Sequence, residues 1–436
     1  MRIFLWLFFS FFLFVNVSGC IVTNPKYDKL MPGIWRGELF LDKQNVPIGD
    51  VSKVTRTRDI DRSPSFTEGV LPFNFEVSYE HDSLVITFRN GTQRIPVKNI
   101  SWGRNKRNAR DTILIRFVEY DTYIRAEHDE GILTGAFYMP RKNMKIPFRA
   151  ISGKSYRFSD ILDAPSVDIT GHWRSVFDPS TQPDTAIGEF HQKGNYLDGT
   201  FLSPTGDYGF LEGSVDHDRF YLSSFDGGHV YLFSGKVIGQ DSLDGLFYSG
   251  NTYKTTWIAE KDNKIHLPDA TSLIHANNQP VTIRFSDPDR KIVDIKDPSY
   301  AGKYKIVQVM GTWCPNCKDE TVFLTEYKRQ NPNDKLQYLA LAFEAYTDSS
   351  RVFHLLKSYK AKMNMDYPVL WAGKASGKDA SAKLPFLSKI MAFPTLFILD
   401  KDNRVIYTHT GFSGPATNQY DAFKNEFKQT VQELIK

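Results

Sequence analysis

Three cysteines in 436 residues are too few for a disulfide framework to hold this chain together. Long apolar runs are also scarce: beyond the first twenty residues no stretch is long and apolar enough to span a bilayer. Charge of one sign is missing too. With 54 basic and 50 acidic residues the net charge is only +4, spread along the chain, and no basic stripe interleaves with aromatics, so nucleic acid is not an expected partner. What is present, 41% hydrophobic and 24% charged residues over this length, suffices for several cores in two or three domains.

The first twenty residues, MRIFLWLFFSFFLFVNVSGC, carry one basic residue, Arg2, and an apolar run from Ile3 to Val15. As a helix that run spans about 20 Å, short of the ~30 Å of bilayer hydrocarbon, so it reads as a secretory signal rather than a retained anchor. It ends in Val17-Ser18-Gly19-Cys20, which resembles a bacterial lipobox, with Cys20 as the lipidation site. The expectation is a protein outside the cytoplasm, attached to a membrane of the cell envelope through lipid and facing the periplasm, because no acidic cluster follows Cys20. An ordinary signal peptide with a chance cysteine is the alternative.

From about Gly33 to Glu260 short alternating stretches such as DSLVITFRN and DTILIRFVEY lie between Gly, Asn and Asp turns, the pattern of antiparallel sheet. Two weak repeats run through this half. GIWRGEL (Gly33 to Leu39) recurs as GHWRSVF (Gly171 to Phe177), and Leu-x-Gly-x-Phe occurs at Leu133 to Phe137, Leu197 to Phe201 and Leu243 to Phe247. They suggest two consecutive β-meander modules, barrel-like, over 21–160 and 161–262, with one continuous sheet as the alternative. Residues 263–282 read as a linker into a third region.

From 283 to 436 strands alternate with amphipathic helices. YKIVQVM (Tyr304 to Met310) is apolar almost throughout, as a strand buried on both faces must be. Cys314 to Arg329 has helical spacing of Cys317, Phe323, Leu324 and Tyr327, which places both remaining cysteines in a first turn. The expected order is β-α-β-α-β-β-α after a short extended segment. Free N–H groups and the dipole at a helix N-terminus stabilise a thiolate, so Cys314 is predicted to be the exposed attacking thiol at the N-cap and Cys317, one turn in, the shielded resolving thiol. Half of a zinc site is one alternative, although two further ligands are lacking and His354 and His409 show no ligand spacing. An inert structural disulfide closing a very small loop is the other.

Trp313-Cys314-Pro315-Asn316-Cys317 after an apolar strand, with Phe393-Pro394-Thr395 opening a later one, resembles the thioredoxin fold and its extracytoplasmic TlpA-like branch of membrane-attached thiol:disulfide reductases. MGTWCPNCKDE together with HTGFSGP (His409 to Pro415) is similar to thioredoxin-like lipoproteins of Bacteroidota that carry β-rich N-terminal regions. The resemblance covers roughly Ile283 to Lys436. It implies Cys314 and Cys317 as a redox-active disulfide, Pro394 as a cis-proline facing it, and Phe393 backbone and Trp313 beside the substrate. It also implies Glu320 as a buried acid near the dithiol. The implied partners are protein thiols and disulfides with an upstream redox partner, and no cofactor. A reductase is favoured over an oxidase or isomerase, and a Thr-x-x-Cys peroxidatic motif is absent. The reading from another class is a β-rich half that binds a ligand or partner, with the redox domain as accessory.

Overall fold

Alternation of apolar and polar residues between tight turns folds the first half into antiparallel sheet. The computed structural model describes residues 30–42, 66–277 and 279–436; the signal segment and Cys20 lie outside them. No helix among the described residues is long and apolar enough to cross a membrane. The first sheet is nine-stranded, from Gly33–Phe40 to Met144–Ser152, and its first strand pairs with both the second and the last. The ends of its order, Gln93–Val97 and Ile100–Arg104, are consecutive strands that do not pair. The second sheet closes fully. Gly171–Phe177 pairs with Tyr253–Lys261, Asp184–Lys193 pairs with Tyr196–Ser203, and the short Gly206–Asp207 strand adds to that last one.

Both repeats have a physical basis. In GIWRGEL and GHWRSVF the glycine has a positive φ (+113° and +122°) that side chains avoid, and the tryptophan two residues on is buried. Trp35 Nε1 donates to Met31 O at 2.9 Å and Trp173 Nε1 to Ile169 O at 2.8 Å, so each copy seats an indole under the strand that closes its sheet. In Leu-x-Gly-x-Phe, the leucine and phenylalanine are core residues on the same face as the glycine. A Cβ on Gly135, Gly199 or Gly245 would lie 2.0 to 2.1 Å from a carbonyl oxygen of the neighbouring strand, so only glycine permits the backbone approach that coils a small barrel. Gly135→Ala is accordingly expected to lower stability by about 3 kcal/mol, the upper end for overpacking. A denaturant midpoint equal to that of the unsubstituted chain would show that the strand simply relaxes.

The second barrel is filled by its own rings. Phe201, Phe233 and Phe247 stack at 4.7 and 4.4 Å around Trp257, Phe177 and Tyr208. The two barrels are also tied to each other. Phe225, at the end of Arg219–Phe225, inserts among first-sheet rings at 4.4 Å from Phe73 and 5.1 Å from Phe137. Arg157 lies buried between the two sheets, its guanidinium bonded to Asn90, Ser223 and Glu212.

The linker is packed rather than free: Ile265 joins Ile187 and Leu202 on the second barrel, whereas Ile274 and Val281 join the C-terminal core. The C-terminal sheet has seven strands in the order Ile292–Asp294, Arg284–Ser286, Val369–Lys374, Leu336–Glu344, Tyr304–Met310, Thr395–Leu399, Val405–Thr410. Tyr304–Met310 runs parallel to Leu336–Glu344 and antiparallel to Thr395–Leu399. The structure adds a strand, Val369–Lys374, and a helix, Gly377–Lys383, that periodicity does not predict. At six and seven residues both are too short to show a period, and the strand is fixed by its parallel partner Leu336–Glu344.

Candidate active site

Tyr304–Met310, buried between two neighbours, delivers the chain at Gly311 to the helix Pro315–Gln330. Cys314 is that helix's N-cap, and Pro315 follows where its missing N–H leaves no bond unmade. Cys314 and Cys317 form a disulfide, and Cys314 Sγ accepts the Cys317 N–H at 3.1 Å. The Phe393–Pro394 peptide is cis, and Phe393 O lies 3.3 Å from Cys314 Sγ. Trp313 packs edge-on to the Phe393 ring at 5.4 Å and donates from Nε1 to Phe343 O at 2.9 Å. Residues some eighty positions apart thus meet at one sulfur. In the thiolate form the same Cys317 N–H and the positive helix end stabilise the charge on Cys314.

Behind the dithiol runs a buried polar string. Gln308 Nε2 donates to Cys317 O at 3.0 Å, Thr321 Oγ1 stands 2.8 Å from that oxygen and 2.9 Å from Gln308 Oε1, and Tyr359 OH is 3.1 Å from Thr321 Oγ1. Glu320 shares this inward helix face and is completely buried, with neither carboxyl oxygen hydrogen-bonded. Burial pushes its pKa up to about 8, against a weaker opposing pull from Gln308. Burial thus favours its neutral form.

Periodicity gave no sign of Glu344, the last residue of Leu336–Glu344. Its carboxylate accepts from Thr312 N at 2.9 Å and Thr312 Oγ1 at 2.8 Å, fixing the turn two residues before Cys314. Burial pushes Glu344 up to about 7, held back by those two bonds and by the nearby Arg141. A lone acid ending a buried strand is the signal that could have found it.

One expectation is corrected. Cys314 is at the N-cap but not exposed: it is 5% accessible and Cys317 is 0%. Segments of the β-rich half, more than eighty residues away in sequence, cover the turn. A Cβ on Gly228 would lie 3.0 Å from Pro315, Asn316 Nδ2 donates to Asp207 O at 3.1 Å, and Arg141 Nη2 stands 3.5 Å from Trp313 O. Beside them lies a buried cluster of charge. Asp226 accepts from Gly228 N and pairs with His229 Nδ1 at 3.0 Å. Burial opposes its ionisation, but His229 and Lys318 outweigh that and hold Asp226 down at about 2. Asp207, accepting from Gly209 N and Gly414 N, is raised to about 6 by burial. No sequence pattern announces these contacts.

Residues 264–423 match the Redoxin family. The matched segment holds the dithiol turn and Pro394 and is less than half of the chain. Over 121 residues the chain is 23% identical to the thiol-disulfide oxidoreductase ResA of Bacillus thuringiensis subsp. konkukian, and equally to that of Bacillus cereus. That span is 28% of this chain and 61% of each relative, so the chain covers less than two thirds of those curated relatives. Among solved structures, the thiol-disulfide oxidoreductase from Bacteroides fragilis is 9% identical, with 34% of this chain and 96% of that one aligned and a TM-score of 0.26. The exposed lipoprotein thioredoxin of Streptococcus pneumoniae is 21% identical, with 35% and 100% aligned and a TM-score of 0.27. Scores this low bear on nothing further. The Redoxin match, the ResA likeness and the dithiol turn together support thiol:disulfide oxidoreductase chemistry in the Redoxin domain.

Proposed function

We propose that this protein is a thiol:disulfide oxidoreductase that reduces protein disulfides through Cys314 and Cys317, tethered at the cell envelope by lipid on Cys20. The observation that carries the reading is the convergence on Cys314 Sγ of the Cys317 N–H, the helix N-terminus and the Phe393 carbonyl. In the reduced protein the Cys314 thiolate attacks one sulfur of a substrate disulfide; that S–S bond breaks and the other substrate sulfur leaves as thiolate. Cys317 then attacks Cys314 Sγ, releasing the second substrate thiol and leaving the Cys314–Cys317 disulfide, so two electrons have passed to the substrate. A dithiol partner upstream resets the pair. Phe393 backbone and Trp313 form the edge along which an extended substrate segment can lie.

The reductive direction rests on the resemblance to the TlpA-like reductases, and the tether rests on Val17-Ser18-Gly19-Cys20. The measurement that decides the direction is the reduction potential of the pair, with insulin reduction by the full chain beside it. The expected potential lies nearer the roughly −270 mV of thioredoxin than the roughly −120 mV of a strong oxidant. A value at the oxidising end, with no insulin reduction, overturns it. The alternative, a ligand-binding β half, has less support because rings fill the interior of the second barrel.

A further inference from the structure

A thiol that exchanges with proteins must be reached by a second sulfur, yet here the β-rich half of the same chain lies over it. Gly228 sits against Pro315, Asp207 holds Asn316 and Arg141 holds Trp313, so all three residues around Cys314 are engaged. The way this cover is attached differs from the way the barrels are attached to each other. Phe225 and Arg157 join the barrels through shared core. Among the described residues, the core of the second barrel, which runs to Ala259, shares no residue with the two C-terminal clusters, which begin at Ile274 and Ile306. Besides the Arg141–Trp313 and Asn316–Asp207 carbonyl bonds, the junction is held by carboxylates of the β half that accept from the Redoxin domain. Asp121 accepts from Tyr346 OH at 2.7 Å and Arg351 Nη2 at 2.8 Å, Glu189 from Asn418 N at 3.3 Å, and Asp207 from Gly414 N at 2.6 Å. The Asp121–Arg351 pair sits at the rim, 37% and 46% exposed, where water and salt can compete for it. Polar junctions of this kind are the ones that open between domains.

We propose that the two barrels form a single releasable cap that holds the Cys314–Cys317 site closed, latched at the rim by Asp121 to Tyr346 and Arg351. Protein substrates are exchanged from the open form, and whatever opens the latch sets the rate. The biological sense of the cap rests on the redox reading above, but its test does not, because alkylation needs no turnover.

The test is the rate at which iodoacetamide alkylates Cys314 in the reduced full-length protein, followed against pH by mass spectrometry. Asp121→Ala removes both latch bonds and should raise the plateau rate on the order of tenfold, the factor set by losing a charge-assisted hydrogen bond, with the apparent thiol pKa unchanged. Tyr346→Phe removes one of the same bonds from the other side and should raise it less, and the double variant should not exceed Asp121→Ala. Raising salt should speed alkylation of the unsubstituted protein and not of Asp121→Ala. If Asp121→Ala loses its folded circular dichroism, Tyr346→Phe and the salt series carry the test. Equal plateau rates in all proteins, insensitive to salt, or a rise accompanied by a shifted thiol pKa, would overturn the cap. Faster alkylation without insulin reduction supports the cap and removes the redox reading instead.

Discussion

Cys317→Ser is expected to accumulate mixed disulfides through Cys314, Cys314→Ser to accumulate none, and both to lose turnover to background. The asymmetry follows from where the turn places the two sulfurs. Cys314 is the N-cap, receives the Cys317 N–H at 3.1 Å and lies 3.3 Å from the Phe393 carbonyl at the edge where a substrate segment can lie. Cys317 is fully buried one turn inside, with its own carbonyl held by Gln308, so its sulfur can reach Cys314 but not a partner. With a serine at 317 the attack still proceeds, because the helix end still supports the thiolate; the second step has no nucleophile and the covalent adduct persists. Non-reducing gels and mass spectrometry of captured partners read the result. Equal trapping by both variants would falsify the division of roles.

Glu320→Gln should be more stable than the unsubstituted protein at pH 8 and, with only the cost of the buried amide left, less stable by about 1–3 kcal/mol at pH 4. Burial raises the Glu320 pKa from 4.5 to about 8. Between these values the unfolded chain releases a proton that the native state keeps, so the native state binds more protons and stability falls as pH rises. The loss accumulates above the unfolded value and levels off beyond pH 8, reaching roughly 5 kcal/mol for so large a shift. Gln removes that slope at the cost of burying an amide, about 1–3 kcal/mol if it finds no partner. The net gain at pH 8 is therefore a few kcal/mol, read from urea unfolding at a series of pH values. Parallel curves for the two proteins would mean that water reaches the carboxyl. In the reduced protein the same change should lower the apparent thiol pKa, since no carboxylate can form beside the cysteines, and should slow proton-dependent resolution at neutral pH. Thiolate absorbance against pH measures the first effect and single-turnover kinetics the second.

Much of this site was legible in the chain because its signals are local. A run of apolar residues followed by Trp-Cys-Pro-Asn-Cys places a dithiol at a strand–helix junction whatever else surrounds it, since helix capping and dipole act within one turn. Phe393-Pro394-Thr395 became a site residue only through resemblance, because its meeting with Cys314 is a contact across the sheet. The inward position of Glu320 follows from helical spacing alone. The glycine and tryptophan repeats of the first half were visible as letters; their reason, a backbone carbonyl 2.0 to 2.1 Å from where a Cβ would stand and an indole bonded four residues back, needed the neighbouring strand.

What the sequence determined by itself was therefore the longer segments, though not the short Val369–Lys374 strand or Gly377–Lys383 helix, and the chemistry of the dithiol, because strand alternation, helical spacing and the capped Cys-x-x-Cys turn are short-range. Only the tertiary structure decided the accessibility of that dithiol. Gly228, Asp207 and Arg141 carry no pattern that points to Cys314, and they reach it because two barrels joined through Phe225 and Arg157 present their loops to one helix end. Burial is a property of what packs on a residue from elsewhere in the chain, and for Cys314 that packing is more than a hundred residues away in sequence for Arg141 and Asp207.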